Sequence, residues 1–160
     1  MQDTSAWANL TTGAWCYYAN NNANGTTYGK LYNWYAVNDP RGLAPNGYHI
    51  PTDAEWSTLI TSQGGNLTAG GKLKEAGSSH WLTNDAATTN SSGFTALPGG
   101  YRYGLDGAFY NITTFGGWWS FSQSPLTNSA WRYGMGNTGS AVDRAERGMQ
   151  YAYSLRCLKD

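Results

Sequence analysis

Apolar positions along the chain follow two regimes. Over 29–38 and again after Thr52 they recur at helical spacing, and from Phe94 onward they fall in short runs broken by Gly, Asn and Asp. The clearest helix starts at Thr52. A threonine at the N-cap with Glu55 three residues on forms a capping box, and Trp56, Leu59 and Ile60 follow at i, i+3, i+4 spacing as one buried stripe. Pro51 precedes the cap in extended conformation, and Gly64-Gly65 stops the helix. A second helix is predicted over 29–38, with Leu31, Trp34, Tyr35 and Asn38 on one face, ended by Asp39-Pro40 because proline disfavours helical backbone at the residue before it. Ala14–Tyr18 reads as a strand. The asparagine-rich run 20–25 before Thr26-Thr27-Tyr28 reads as a hairpin turn. Residues 69–77 suit a short helix or a strand, and 78–92 are irregular with Trp81 as an anchor.

The second half reads as strands over Phe94–Leu97, Gly100–Tyr103, Ala108–Tyr110, Trp118–Ser122, Ala130–Met135, Ala141–Arg147 and Tyr153–Leu158. Leu105-Asp106-Gly107 and Gly136–Gly139 are the turns between pairs. Helices first and an antiparallel sheet last is an α+β pattern, and 160 residues fit one domain spanning 1–160.

Composition narrows the function classes. Ten basic and ten acidic residues give zero formal net charge, which argues against a nucleic-acid partner. Fifteen per cent aromatics, eight of them Trp, supply a core and argue against disorder. No apolar run is long enough for membrane insertion. Abundant Gly, Asn, Ser, Tyr and Trp with few Lys and Glu indicate a loop-rich extracellular domain. The opening Met1-Gln2-Asp3-Thr4 has no signal-peptide pattern, and the domain is expected to be a piece of a longer secreted protein. Cys16 and Cys157 lie near opposite ends of the chain. A disulfide between them would close almost the whole domain and stabilise it by roughly 4–5 kcal/mol. The other reading is two separate buried thiols.

Little marks chemistry. His49, beside Ile50 and Pro51, reads as structural, and two histidines without a nearby cysteine do not make the usual zinc site. There is no nucleophile elbow, phosphate loop or dinucleotide fingerprint. Glu55 is explained by its cap, and nothing marks the paired carboxylates of a glycosidase. Asp106 is a candidate calcium ligand, but a plain hairpin turn accounts for it better. No cofactor, metal site or catalytic residue is expected, and the chain is read as a binding module and not an enzyme.

Alternation assigns Trp119, Phe121 and Trp131 to the buried side and Trp118, Ser120, Arg132 and Gly134 to the exposed side. Asp143, Arg144, Arg147, Gln150 and Tyr151 also read as exposed. Aromatic, Arg and small polar side chains make effective recognition surfaces. The candidate ligand contacts are therefore Phe121, Gln123, Arg132, Asp143, Arg144, Arg147 and Tyr151, displayed by 121–153 on a frame of Trp34, Trp56, Leu97, Trp119 and Leu155. The expected partner is a surface glycan or a protein receptor. An assembly role in oligomers of a larger protein is the alternative, with a divergent modifying-factor-type enzyme the less favoured one.

Six blocks carry a resemblance. They are Lys30–Ala36, Gly47–Trp56, Gly71–Gly77, Gly93–Arg102, Trp118–Ser120 and Ser154–Cys157, in that order. Over about 12–160 the chain resembles the Fibrobacter succinogenes major paralogous domain, a bacterial family found mainly on secreted or surface proteins. The Pro51–Trp56 block and the closing Arg156-Cys157 are also similar, more weakly, to the sulfatase-modifying-factor branch of the C-type lectin fold. That branch includes formylglycine-generating enzymes and the variable proteins of diversity-generating retroelements, some of them on phage tips. The resemblance implies a C-type-lectin-like fold of two helices and a twisted antiparallel sheet, with termini close enough to agree with a Cys16–Cys157 bridge. It implies an extracellular, cell-surface or virion-tip location. The catalytic cysteine pair of the formylglycine enzymes has no counterpart here, and the sugar-calcium signatures of animal C-type lectins are absent. Many relatives carry a cysteine where Ala44 stands, which leaves Cys16 as the partner available to Cys157.

Overall fold

The computed structural model describes residues 3–83 and 86–160. Helix α1 (Thr4–Ala8) is capped by Asp3, whose carboxylate accepts from the Ala6 amide, and it buries Trp7 completely. Strand β1 (Trp15–Cys16) follows, then a 3₁₀ turn at Tyr18–Asn20. The run expected to be a hairpin turn is instead helix α2 (Asn22–Tyr28). Asn21 is extended there and its side chain accepts from the Ala23 amide, so a local cap competes successfully with the turn.

The helix expected over 29–38 divides into β2 (Leu31–Asn33) and a single turn, α3 (Trp34–Val37). Asn33 forces the break. It is buried, and its side-chain oxygen accepts from the amides of Ala36 and of the distant Ala14, so it acts as an N-cap with extended backbone. After β3 (Tyr48–His49) comes α4 (Asp53–Ser62), as its pattern predicts. Both capping-box bonds form, Trp56 and Ile60 are buried, Leu59 packs beside them, and Gly64 and Gly65 take positive φ. Residues Ala69–Leu73 form α5.

The remaining strands are β4 (Gly99–Arg102), β5 (Phe109–Ile112), β6 (Phe115–Gln123), β7 (Ser129–Gly136), β8 (Val142–Gly148), β9 (Ala152–Tyr153) and β10 (Leu158–Lys159). Phe94–Leu97 contributes only an isolated bridge, Ala96 to Lys74. Among the described residues, the main sheet runs β1-β2-β9-β4-β6-β7-β8, with β5 paired to β4, and β10 pairs with β3 separately. Its ladders are antiparallel except for the β4–β6 contact at Gly100↔Gly116. The architecture is thus α+β, with five α-helical segments among the described residues where two were expected.

The sheet is covered on both faces at β6. On one side Trp56 of α4 stacks on Tyr133 at 5.1 Å, in a cluster that also holds Trp118, Met135 and Trp81. On the other, Trp34, Trp119, Ala130 and Tyr153 pack together. Trp118, Ser120, Arg132 and Gly134, expected at the surface, are therefore buried, whereas Phe121 is exposed and Trp131 half-buried. Alternation sorts residues between faces but does not say how many faces are covered. Of the expected frame, Trp34, Trp56 and Trp119 are buried and Leu97 and Leu155 half-buried.

The two cysteines are free, which corrects the expected bridge. Cys16 packs among Trp7, Ala14, Leu31 and Ala152 in one cluster. Cys157 is exposed and lines a groove beside Trp56 and Phe94 on another part of the molecule. Burial pushes the Cys16 thiol up to about 11, against the pull of Arg102, so it is a neutral, packed side chain.

Candidate ligand-binding cleft

The registers Gly117↔Gly134↔Asp143 and Trp119↔Arg132↔Ala145 define one face of the β6-β7-β8 ladder. Side chains two apart on a strand share a face, so Phe115, Arg132, Asp143 and Arg147 project to the same side. Gly117 and Gly134 stand opposite each other in its floor. A Cβ on Gly117 would lie 2.6 Å from the Tyr153 ring and 2.8 Å from that of Phe115. On Gly134 it would lie 2.1 Å from Arg132 Nη1 and 2.4 Å from Phe115 Cζ. Neither glycine has a positive φ, so what they supply is space.

Tyr101 from β4, Tyr153 from β9 and the adjoining Tyr103 and Tyr151 complete the walls. With Asn111 at the rim, these residues enclose a cleft of about 360 Å³. The Tyr151 ring lies within 10° of parallel to Tyr153 and within 24° of Tyr101. Tyr103 meets Tyr151 edge-on with ring centres 4.8 Å apart. Burial is the first cause that raises the Tyr101 and Tyr151 hydroxyls, and it raises Tyr153 to about 12, with Arg132 and Arg147 pulling the last back. At neutral pH the cleft therefore offers un-ionised phenols, which both donate and accept hydrogen bonds.

Arg132 is the charged group of the floor. It is 3% exposed, and its guanidinium lies over the rings of Phe115 at 5.0 Å and Tyr153 at 5.5 Å. Nη1 donates to Asp143 Oδ1 at 2.8 Å. Nε is buried with no hydrogen-bond partner among the described residues. Arg147 stands at the edge of the cleft and donates from Nη1 to the carbonyl of Glu146.

Residues 1–159 match a family model described as the Fibrobacter succinogenes major domain. The chain belongs to that family. Neither the curated proteins nor the solved structures compared with it give a match. In this Fibrobacter succinogenes major domain, four of the seven sequence-predicted contacts meet in the cleft: Arg132, Asp143, Arg147 and Tyr151. Arg132 is there as the buried floor and not as a displayed side chain.

The other three lie elsewhere. Arg144 projects from the opposite face of β8, where Nε and Nη2 donate to the two carboxylate oxygens of Asp53 and the guanidinium lies 3.1 Å from the centre of the Trp131 ring. It ties β8 to the start of α4, and its hydrogen bonds hold the Asp53 carboxyl below its usual range. Phe121 borders a separate hollow of about 670 Å³ with Tyr48, His49 and Thr52. Gln123 is exposed at the far end of β6, opposite Ala130.

Sequence reading missed Tyr101, Tyr103, Asn111, Phe115 and Tyr153 as cleft residues. Two signals were present. Tyr101 and Tyr103 are spaced by two, as are Tyr151 and Tyr153, so each pair points one way in extended backbone. Arg102, between the first pair, faces the other way and is buried over Trp7 and Phe109.

His49 is bonded to carboxylates at both nitrogens, Asp160 at Nδ1 and Glu55 at Nε2. Among the described residues, no group of three His, Cys, Asp or Glu gathers as a metal site. Asp106 closes its hairpin, accepting from the Ala108 amide and the Tyr110 hydroxyl. Among the described residues no helix is long and apolar enough to cross a membrane.

Proposed function

We propose that this domain is a non-catalytic ligand-binding module whose site is the tyrosine cleft, and that its ligand is a surface glycan. The observation that carries the reading is the set of near-parallel tyrosine rings, with neutral hydroxyls, around a rigid floor kept open by Gly117 and Gly134. Aromatic faces receive the C–H surface of a sugar ring, and phenol, guanidinium and carboxamide groups match its hydroxyls. A cleft of about 360 Å³ is near the lower end of small-ligand pockets, in keeping with one or two sugar rings.

Several features support a binding role over chemistry. Among the described residues Asp143 is the single carboxylate lining the cleft and it is engaged by Arg132, whereas glycoside hydrolysis normally requires two. The raised tyrosines are poor bases at neutral pH. No cofactor or calcium ion is called for by these groups. The α+β architecture, with α4 against a mainly antiparallel sheet, suits a C-type-lectin-like fold, as does the Pro51–Trp56 block. The charge-poor, Tyr- and Trp-rich composition suits an extracellular, cell-surface or virion-tip setting.

A glycan array probed with the wild-type domain and with Tyr151→Ala, each with calcium and with chelator, tests the reading. Wild type should bind a defined set of glycans regardless of chelator. Truncating a central aromatic anchor removes about 2 kcal/mol or more, some thirtyfold in affinity. Unchanged binding by a folded Tyr151→Ala variant would move the site elsewhere.

A second reading, an assembly role, has its own observation. The hollow beside Phe121 also carries Leu43 and Tyr48, which are exposed apolar side chains. Concentration-dependent dimers disrupted by Phe121→Ser would favour it.

A further inference from the structure

We propose that the glycan residue received by this cleft is an acidic one, a uronic or nonulosonic acid, and that its carboxylate docks on the Nε–Nη2 edge of Arg132. The inference rests on the tyrosine cleft being the binding site and adds the chemical class of the sugar.

It follows from how this chain uses its arginines. Arg41 holds Asp39 with Nε on one carboxylate oxygen at 2.8 Å and Nη2 on the other at 2.7 Å. Arg144 holds Asp53 the same way, at 2.7 and 2.8 Å. Both use the side-on fork, in which two parallel N–H bonds match the two oxygens of a planar carboxylate. Arg132 is oriented differently. It gives Asp143 only Nη1, to a single oxygen, and its Nε is buried with no partner among the described residues. The fork that its two counterparts fill is thus left open at Arg132, in a residue that lines the cleft.

A buried N–H of a cation without an acceptor is unfavourable, and a ligand oxygen that reaches it recovers that cost. Charge agrees. Among the described residues Arg132 and Arg147 face the cleft against Asp143 alone, and Asp143, 55% exposed, keeps much of its hydration while the Arg132 side chain, at 3%, keeps almost none. The cleft is therefore one positive charge in excess, with the desolvated charge at its floor. A neutral hydroxyl would satisfy one N–H, whereas a carboxylate satisfies two and the charge. Nε has no solvent access in the empty cleft, so docking includes a small turn of the guanidinium over the Phe115 ring.

Solution NMR on the ¹⁵N-labelled domain, observing arginine Nε–Hε signals, tests this with four probes. These are methyl β-glucuronide, the methyl glycoside of N-acetylneuraminic acid, the neutral methyl β-glucoside and glucose 6-phosphate. At least one carboxylated sugar should bind tenfold or more tighter than the neutral glucoside and shift the Arg132 Nε–Hε signal. Arg132→Lys, which keeps the charge and removes the fork, should erase most of that preference.

Equal affinity for glucuronide and glucoside, both still sensitive to Tyr151→Ala, would overturn the acidic-sugar inference and leave the cleft reading intact. So would a wild-type Arg132 Nε–Hε signal unmoved at saturation, which needs no variant to fold. A tenfold preference for the phosphate ester would replace the carboxylate by another anion and overturn the class. Loss of every cleft response with all four probes would overturn the inference, and glycan-array binding insensitive to Tyr151→Ala would show that the cleft reading had failed with it.

Discussion

Replacing Gly134 with alanine adds one methyl group to the floor of the cleft. That methyl carbon would sit 2.1 Å from Arg132 Nη1 and 2.4 and 2.8 Å from two atoms of the Phe115 ring. Moving either neighbour has a cost, since displacing Arg132 strains its bond to Asp143 and its packing over the Phe115 and Tyr153 rings. Backbone strain contributes nothing, because Gly134 does not have a positive φ. Overpacking of this kind costs about 1–3 kcal/mol, with the upper end expected if the Arg132–Asp143 bond breaks. The built-in control is Gly136, two residues along the same strand, where the nearest atom to an added Cβ is 3.9 Å away. There alanine should be neutral or stabilise by up to about 1 kcal/mol through reduced unfolded-state entropy. Urea unfolding followed by tryptophan fluorescence measures both, and the slopes must agree for the comparison to hold. A chain of this size loses about 2–4 °C in Tm per kcal/mol, so Gly134→Ala should melt roughly 2–12 °C lower. If Gly134→Ala and Gly136→Ala were equally stable, the floor would not be packed as described, and the placement of Arg132 that depends on it would fail too.

Three further expectations are independent of the ligand. Trp119 is fully buried and its indole N–H donates to the Tyr32 carbonyl at 2.8 Å, so Trp119→Ala should cost about 3–5 kcal/mol in chemical denaturation, and a loss below 1 kcal/mol would remove it from the core. His49 is raised above its ordinary value of 6.5 by hydrogen bonds to Asp160 and Glu55, and Glu55 is lowered below 4.5 by its bonds to Thr52 and His49. The His49 contribution is complete below pH 6.5 and lost as pH rises through the elevated value, and the Glu55 contribution is complete above 4.5 and lost as pH falls through the depressed one. Tm should therefore decline as pH rises above 6.5 less steeply in His49→Asn than in wild type, and identical profiles would refute the clamp. Cys157 is exposed and Cys16 buried, so a thiol reagent should label one cysteine in the native domain and both in denaturant. Labelling of neither under non-reducing denaturing conditions would restore the disulfide.

Helix α4 was legible because every determinant is local. Its cap, its apolar stripe and its glycine stop lie within the segment that they define. The strands from β6 to β8 and the turn at 136–139 were legible for the same reason. Asn33 shows where local reading stops. It lies inside the 29–38 segment whose spacing suits a helix, but its side-chain oxygen accepts from the Ala14 amide, and the chain around it becomes strand and cap. The cleft lies beyond local reading to a greater degree. Tyr101 reaches it because β4 joins β6 through Gly100↔Gly116 and β9 through Arg102↔Ala152.

The sequence by itself determined which side chains share a face, where the main helix begins and ends, the α+β class and the family. Tertiary structure decided that the sheet is covered on both sides, that Arg132 is buried with its fork unused while Arg144 is spent on Asp53, and that tyrosines from separate strands converge. Periodicity specifies direction relative to a strand's own axis, whereas burial and convergence depend on what other segments bring to that side.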